Sequence, residues 1–385
     1  MIEDISVLTN EVQVSILCAT YNQESYIRQT LDSLLMQETN FKYEILVHDD
    51  ASTDGTTDIV RDYASQYSNR IIPFIETENQ FSKGVDFWRE IAKKHKVAKY
   101  TAFCEGDDYW INTKKLQKQF DALELHQECD MCACRGVMVS EDGKQELGDI
   151  RPQKGNGILS MEDTILGGGM YLVTNSLFCR KSMGDNPMRF EMIRALDYAT
   201  QIRGALRGGI YYIDEKMAAY RRFAKGSWTS VLVDKPEESA LQCEQEKEIL
   251  RTLDEETKGK YHGVITERLK AYETSFLGQL MDNREVLLQL LNECSGRVFM
   301  WGIGRRGIAF EEFCNNEGIK LSGVCDVTNN CVGNTTLYGN EIYHSDKVLD
   351  EASVILTSTT NAYEYLEGVG FTGKLFDLQK YMMIA

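Results

Sequence analysis

The chain has 385 residues and a mass of 43.9 kDa, with 43% hydrophobic and 26% charged residues and only four prolines, a composition that folds almost throughout and divides into two or three domains. A formal net charge of −17 and a pI near 4.9 exclude a nucleic-acid binder, which needs clustered Lys and Arg. No apolar run reaches the roughly 18 residues of a membrane span, and residues 1–10 carry neither a basic nor an apolar leader region, so a cytoplasmic location is expected, with peripheral membrane contact compatible with it.

From residue 13 to about residue 130, short apolar strands alternate with helices of period 3.6. "VSILCA" (14–19) reads as a strand, and residues 24–37 as a helix with Ile27, Leu31, Leu34 and Leu35 on one face. "YEILVH" (43–48) and a helix over 56–67 follow, then "RIIPFI" (70–75), a helix over 85–94 and "YTAFC" (100–104). This βαβα order predicts a largely parallel, doubly wound sheet, whose ligands lie beyond the carboxyl ends of the strands. Residues 131–230 are looser: a strand, a polar loop, the turn "LGGGMY", the strand "TNSLFCR", a helix over 190–207 and "GIYYIDEKMAAYRR". The expected division is a first domain over 1–232, a charged helical connector over 233–295 and a second α/β domain over 296–385.

The eleven cysteines sit in apolar runs rather than framing loops, which suits a reducing compartment. His126, Cys129, Cys132 and Cys134 approach zinc-like spacing, but no second CxxC partners them, and "DMCACRGVMV" reads as a buried strand with small apolar thiols.

Three strand ends deliver polar residues to one rim: Thr20, Tyr21 and Asn22; Asp49, Asp50 and Ser52; and Glu105, Asp107 and Asp108 in "TAFCEGDDYW". Adjacent carboxylates at the end of a buried strand are unfavourable unless a cation or a proton sits between them. Mg²⁺ or Mn²⁺, which bind one or two carboxylates together with substrate phosphates, would meet that need through Asp107 and Asp108.

"VSILCATYNQESYIRQTLDSLLMQ", "YEILVHDDASTDGT" and "CEGDDYW", in this order, resemble the family 2 inverting glycosyltransferases over residues 12–230. The resemblance implies the GT-A nucleotide-diphospho-sugar transferase fold, a mostly parallel sheet flanked by helices, and a UDP-linked sugar donor with a glycan or lipid-linked acceptor, as in bacterial surface polysaccharide assembly. It assigns Asp50 to the nucleobase, Asp107 to the ribose, Asp108 to the metal and Tyr21 to packing by the base, with Lys83 near the nucleotide. In the later signature "IRALDYATQIRGALRGGIYYIDEKMAAYRRFAKGSWTS" it makes Asp197 the general base. Leu196 precedes that acid where a small or acidic residue is usual. Phe223 stands where a histidine is frequent, which leaves Arg221, Arg222 or Lys225 as the cations near the diphosphate.

In the last domain, Gly302, Gly304 and Gly307 form a GxGxxG between a strand and a helix, and Asp326 follows about 20 residues on at a strand end. This resembles the small Rossmann-like domains appended to some bacterial sugar-modifying enzymes. Two readings of it stand, a second nucleotide site and a glycine turn that serves the fold alone. The rival functions for the whole chain are an NAD(P)- or nucleotide-binding oxidoreductase acting through that motif, and a non-catalytic binding protein on a transferase fold.

Overall fold

The structure, a computed structural model, describes residues 11–184, 188–189, 196–222, 224–225, 227, 236–273, 276–302, 305–326, 332–358 and 360–378. Internal contacts divide the chain into two units, residues 1–144 with 150–268, and residues 145–149 with 269–385.

The first unit begins β1 (Val12–Thr20), α1 (Ile27–Leu35), β2 (Lys42–Asp49), α2 (Thr56–Gln66), β3 (Ile71–Ile75), α3 (Phe87–Lys94) and β4 (Tyr100–Phe103). β5 (Tyr109–Trp110), α4 (Lys115–Leu125), β6 (Met131–Val139), β8 (Gly157–Leu159), α5 (Met161–Gly167), β9 (Phe178–Arg180), α6 (Leu196–Ala205) and β10 (Ile210–Arg221) follow, while β7 (Glu146–Ile150), between β6 and β8 in sequence, falls almost wholly among the residues of the second unit. Among the described residues the main sheet runs β3-β2-β1-β4-β9-β6-β10-β5. The strands β3, β2, β1 and β4 are parallel, as the alternation predicts. β9 lies antiparallel between β4 and β6, and β5 antiparallel on β10, so the far half of the sheet is mixed.

The parallel half is covered on both faces, which is why its strands are continuous apolar runs. One face packs Ile16, Cys18, Ile45, Val47 and Tyr100 against Ile27, Leu31 and Leu34 of α1 and Ile59 and Val60 of α2. The other packs Leu17 and Leu46 against Ile91 and Trp88 of α3. Cys129, Cys132 and Cys134 are buried free thiols at and near β6, while the ring of His126 stacks on Tyr211 at 3.9 Å. The helices α7 (Pro236–Glu256) and α8 (His262–Glu273) come next in the chain, and α7 with most of α8 belongs to the first unit.

The second unit holds α9 (Phe276–Asp282), α10 (Arg284–Glu293), β11 (Val298–Trp301), α11 (Arg305–Asn316), β12 (Gly323–Asp326), β13 (Ile342–His344), α12 (Ser345–Glu351), β14 (Val354–Thr357), α13 (Thr360–Gly368) and β15 (Lys374–Asp377). Its five strands are all parallel in the order β13-β12-β11-β14-β15. The order reverses between β11 and β14, as in a doubly wound sheet. Leu280, Leu287 and Leu290 pack with Met300, Phe310 and Phe313 in its core.

Candidate active site

β1, β2 and β4 are in register at their carboxyl ends, with Thr20 opposite Asp49 and Leu17 opposite Phe103. The chain leaves β4 still bonded along β1, Cys104 N–H donating to Leu17 O at 3.1 Å and Gly106 N–H to Ala19 O at 2.8 Å. Gly106 is required there, since a Cβ would overlap the Thr20 and Gln23 side chains. Three polar residues of one α1 face then hold the acidic turn. Thr30 Oγ1 lies 2.8 Å from Gly106 O and 2.7 Å from Asp108 O, Ser33 Oγ accepts the Trp110 N–H at 3.0 Å, and just beyond the helix Gln37 Nε2 donates to Asn112 O at 2.9 Å. All three are buried. Sequence reasoning missed them, although their spacing of three and four residues was the available signal.

Arg221, at the end of β10, braces the same turn. Its backbone N–H donates to Asp108 Oδ1 at 2.8 Å, and its guanidinium donates to Asp107 O, to Glu141 O at 2.8 Å and to Gln29 Oε1 at 2.7 Å. The guanidinium carbon also lies 4.7 Å from the Tyr26 ring centre and 5.2 Å from that of Tyr109. At 2% exposure this cation is committed to the protein interior. Arg222 donates its backbone N–H to Val139 O at 3.0 Å, and Lys225 N–H reaches Tyr26 Oη at 3.3 Å.

Asp49 and Asp50 are buried and act differently. Asp49 accepts from Ser52 and Thr57, closing the turn after β2. Asp50 accepts the backbone N–H groups of Gln80 at 2.6 Å and Phe81 at 3.0 Å, so it ties the following loop to the rim. Lys83 ends a short 3₁₀ turn in that loop and pairs with Glu78 at the surface, and Tyr21 is exposed.

The acids respond to burial as the sequence suggests. Burial pushes the Glu105 carboxyl up to about 8, with Asp197 and then Asp107 adding repulsion. Asp108 is held well above the usual carboxylate range by burial, then by Asp107 and Glu105. Asp107 is raised by burial, while hydrogen bonds from its own backbone and Gln23 and the charge of Arg221 act the other way. Asp107 and Asp108 are hard oxygen donors of the kind a divalent cation takes, but among the described residues no three acidic, His or Cys side chains converge as a ready metal site.

Asp197 lies in the first turn of α6. Its surface is exposed to solvent, and the protein packed around it raises its carboxyl. Thr174 hydrogen-bonds the carboxylate and Glu246 of α7 adds repulsion. Tyr198 Oη donates to Ile165 O at 2.6 Å, and Gln201 Nε2 donates to Gly169 O at 2.8 Å, which pins α6 to the glycine-rich turn. Glu246 thus brings the segment read as a connector within electrostatic reach of Asp197.

In the second unit, Gly302 has φ +98° and donates to Cys325 O at 2.8 Å. A Cβ on Gly307 would collide with the Gly302 carbonyl oxygen, so that glycine serves the close approach of α11 to the turn. Asp326 ends β12. Gly304 and Phe223 lie outside the described residues.

A sheet whose parallel half brings out acids at the ends of β2 and β4, on either side of β1, with Asp197 within electrostatic reach of Glu105, fits an α/β protein of the nucleotide-sugar transferase class. The family profile described as glycosyl transferase family 2 matches residues 15–224, and the chain belongs to that family, whose fold is GT-A. An uncharacterised Mycobacterium tuberculosis protein, Rv1520, is 35% identical over 224 residues, 58% of this chain and 62% of its own length. The Escherichia coli UDP-Glc:alpha-D-GlcNAc-diphosphoundecaprenol beta-1,3-glucosyltransferase WfaP is 40% identical over 101 residues, 26% of this chain and 38% of its own length. The structure of Staphylococcus aureus TarS 1-349 in complex with UDP-GlcNAc aligns with a TM-score of 0.49 at 18% identity, covering 83% of this chain and 95% of that one. The chain therefore spans less than two thirds of the curated relatives it matches. Among the described residues, no helix is long and apolar enough to cross a membrane.

Proposed function

We propose that the protein is a metal-dependent inverting glycosyltransferase that moves a sugar from a UDP-linked donor to a hydroxyl of a glycan or lipid-linked acceptor. The observation that carries this is the acidic turn Glu105–Asp108, with Asp107 and Asp108 buried and Asp197 within electrostatic reach of Glu105, in a chain of this family. WfaP, whose name gives a UDP-glucose donor and a lipid-diphosphate-linked acceptor, supports the choice of substrates. Such an acceptor would bring the protein to the inner face of a membrane.

Asp197 accepts the proton of the acceptor hydroxyl as that oxygen bonds to the anomeric carbon, and the bond from that carbon to the diphosphate breaks on the opposite face. One carboxylate suffices, because direct displacement forms no glycosyl-enzyme intermediate. Its raised affinity for a proton suits a base working near neutral pH. Asp107 binds the ribose, Asp50 positions the loop against the base, with Tyr21 packing beside it and Lys83 near the nucleotide, and Arg222 lies toward the diphosphate. Asp108 would hold Mn²⁺ or Mg²⁺, which supplies neutralisation of the charge on the departing diphosphate.

The test is thermal stabilisation and donor hydrolysis across a nucleotide-sugar panel, with Mn²⁺ and with EDTA. Asp197→Asn should bind donor normally and lose about 10²- to 10⁴-fold in turnover. Asp108→Asn should lose metal-dependent nucleotide binding. Full activity in EDTA would overturn the metal role, and loss of donor affinity in Asp197→Asn would overturn the base assignment.

A further inference from the structure

Trp110 follows the acidic turn in β5 and is 1% exposed. A buried indole has to place its one polar group, the Nε1–H donor, on an acceptor. That acceptor lies outside the turn: Trp110 Nε1 donates to Asn175 O at 2.9 Å. The backbone N–H of Trp110 is already taken by Ser33 of α1, so the residue is anchored at both ends. Lys115 Nζ, fully buried, lies 4.1 Å from the ring centre, and a buried lysine over an indole face fixes the plane of the ring. Lys115 Nζ also donates to Gln119 Oε1 at 2.7 Å, and Gln119 Nε2 donates in turn to Ser176 O at 2.8 Å.

Thr174–Ser176 form a single 3₁₀ turn just before β9. Three elements hold it: β5 through Trp110, α4 through Gln119, and β10 through Ala219, whose carbonyl accepts Asn175 Nδ2 at 2.7 Å. The same segment meets α6. Gln201 accepts the Leu172 N–H and donates to Leu172 O, both at 3.2 Å. Asp197 stands one turn before Gln201 on α6, and its carboxylate takes the hydrogen bond of the Thr174 side chain. A continuous path of buried contacts therefore runs from the end of the acidic turn to the general base. Sequence separation hides it, since Trp110, Asn175 and Asp197 come from three distant segments.

We propose that Trp110 is a positioning residue for the general base: by donating to Asn175 O it fixes the turn from which Thr174 orients the Asp197 carboxylate. The inference rests on the transferase reading above and deepens it. A hydroxyl donated to a carboxylate favours the charged form, which is the form that accepts a proton from the attacking hydroxyl. Thr174 supplies that bond against the two acids that act on Asp197 from other elements, Glu246 of α7 and Glu105 of the acidic turn.

Carboxyl-carbon NMR of the ligand-free full chain tests this, with the Asp197 signal assigned by Asp197→Asn. Thr174→Val removes the hydroxyl and should move the Asp197 titration upward. Trp110→Phe keeps a ring beneath Lys115 but offers Asn175 O no donor, and should move it the same way by less. Tyr43→Phe, which removes a hydroxyl bonded to Leu34 O at 3.1 Å, controls for a general loss of stability and should leave the titration in place. In Mn²⁺, nucleotide release from UDP-glucose, UDP-N-acetylglucosamine or GDP-mannose should fall about tenfold or more in Trp110→Phe, while affinity for UDP or GDP stays within about threefold. In wild type, one of the four indole N–H signals, that of Trp110, should follow the ionisation of Asp197 and lose that response in Thr174→Val and Asp197→Asn. An Asp197 titration unmoved in folded Trp110→Phe would make Trp110 a core residue and overturn the inference. Should that variant not fold, an indole signal indifferent to Asp197 would overturn it. A loss of diphosphate affinity as large as the loss of turnover would place Trp110 with the donor and overturn it equally. A wild type that releases nucleotide from none of the three sugars would overturn the transferase reading, and with it the role of Trp110 in the reaction.

Discussion

Arg221 offers the sharpest perturbation, because family resemblance places it at the diphosphate while its side chain is bound within the protein. Arg221→Met keeps much of the volume and removes three guanidinium hydrogen bonds, to Asp107 O, Glu141 O and Gln29 Oε1, with the stacking between Tyr26 and Tyr109. Hydrogen bonds to charged groups contribute about 1.5–3 kcal/mol each and do not add, and removing one member of a buried charged network typically costs about 3–5 kcal/mol. A loss of about 3 kcal/mol local to the turn raises amide exchange there roughly 100-fold. Hydrogen exchange read by mass spectrometry over residues 104–112 and 218–222 measures this directly, with metal-dependent UDP affinity followed alongside. Arg221→Lys should fall between, since an ammonium cannot reach all three acceptors. Unchanged exchange in both variants, with nucleotide affinity alone reduced, would refute the bracing role and return Arg221 to the substrate.

The ligand-free protein should lose stability as pH rises from about 4.5 to 8. Glu105 holds its proton in the folded state up to about 8 but releases it near 4.5 when unfolded, so its contribution is full at low pH and lost through the folded value, with a slope of at most about 1.4 kcal/mol per pH unit for each such group. Melting curves in EDTA read the slope, Mn²⁺ should flatten it, and rising stability over that interval would contradict the raised acids. Thr30→Val should destabilise the first unit by about 1–3 kcal/mol by leaving the Gly106 and Asp108 carbonyls unmatched, and weaken Mn²⁺-dependent UDP binding. An unchanged melting curve would show the α1 contacts to be dispensable. Gly307→Ala should destabilise the second unit by about 1–3 kcal/mol or more through collision with the Gly302 carbonyl, measurable by hydrogen exchange over residues 298–316, whereas normal exchange there would mean the turn can yield.

The parallel half of the sheet was legible because both faces of its strands are buried and the intervening helices carry apolar residues at helical spacing, which leaves continuous runs such as "YEILVH". Of the antiparallel strands, β9 was legible within "TNSLFCR" but its direction was not, and β5 was not legible at all. β5 has two residues and β9 three, lengths at which no periodicity exists, and their place is set by partners more than a hundred and about fifty residues away, Ala218 and Met131. Among the site residues, the acids announced themselves by standing at strand ends. Thr30, Ser33 and Gln37 did not, because a polar residue on an amphipathic helix reads as solvent-facing until a loop is known to return over it. Glu246 was hidden for a similar reason, lying in a charged helix whose approach to Asp197 depends on tertiary packing alone.

The acidic turn also explains why so much of the first unit is devoted to rigidity there. Glu105, Asp107 and Asp108 repel one another and would separate if the backbone could move. Gly106 packed on Thr20, the Thr30 hydroxyl on the turn carbonyls and the Arg221 brace prevent that separation. Repulsion that cannot relax by movement is relieved by binding a proton or a cation, so on the proposed function the same contacts that destabilise the turn would increase its affinity for a divalent ion. Loosening the turn should therefore weaken metal binding even when every carboxylate is intact. That is why Thr30 and Arg221, neither placed as a ligand, are expected to affect it.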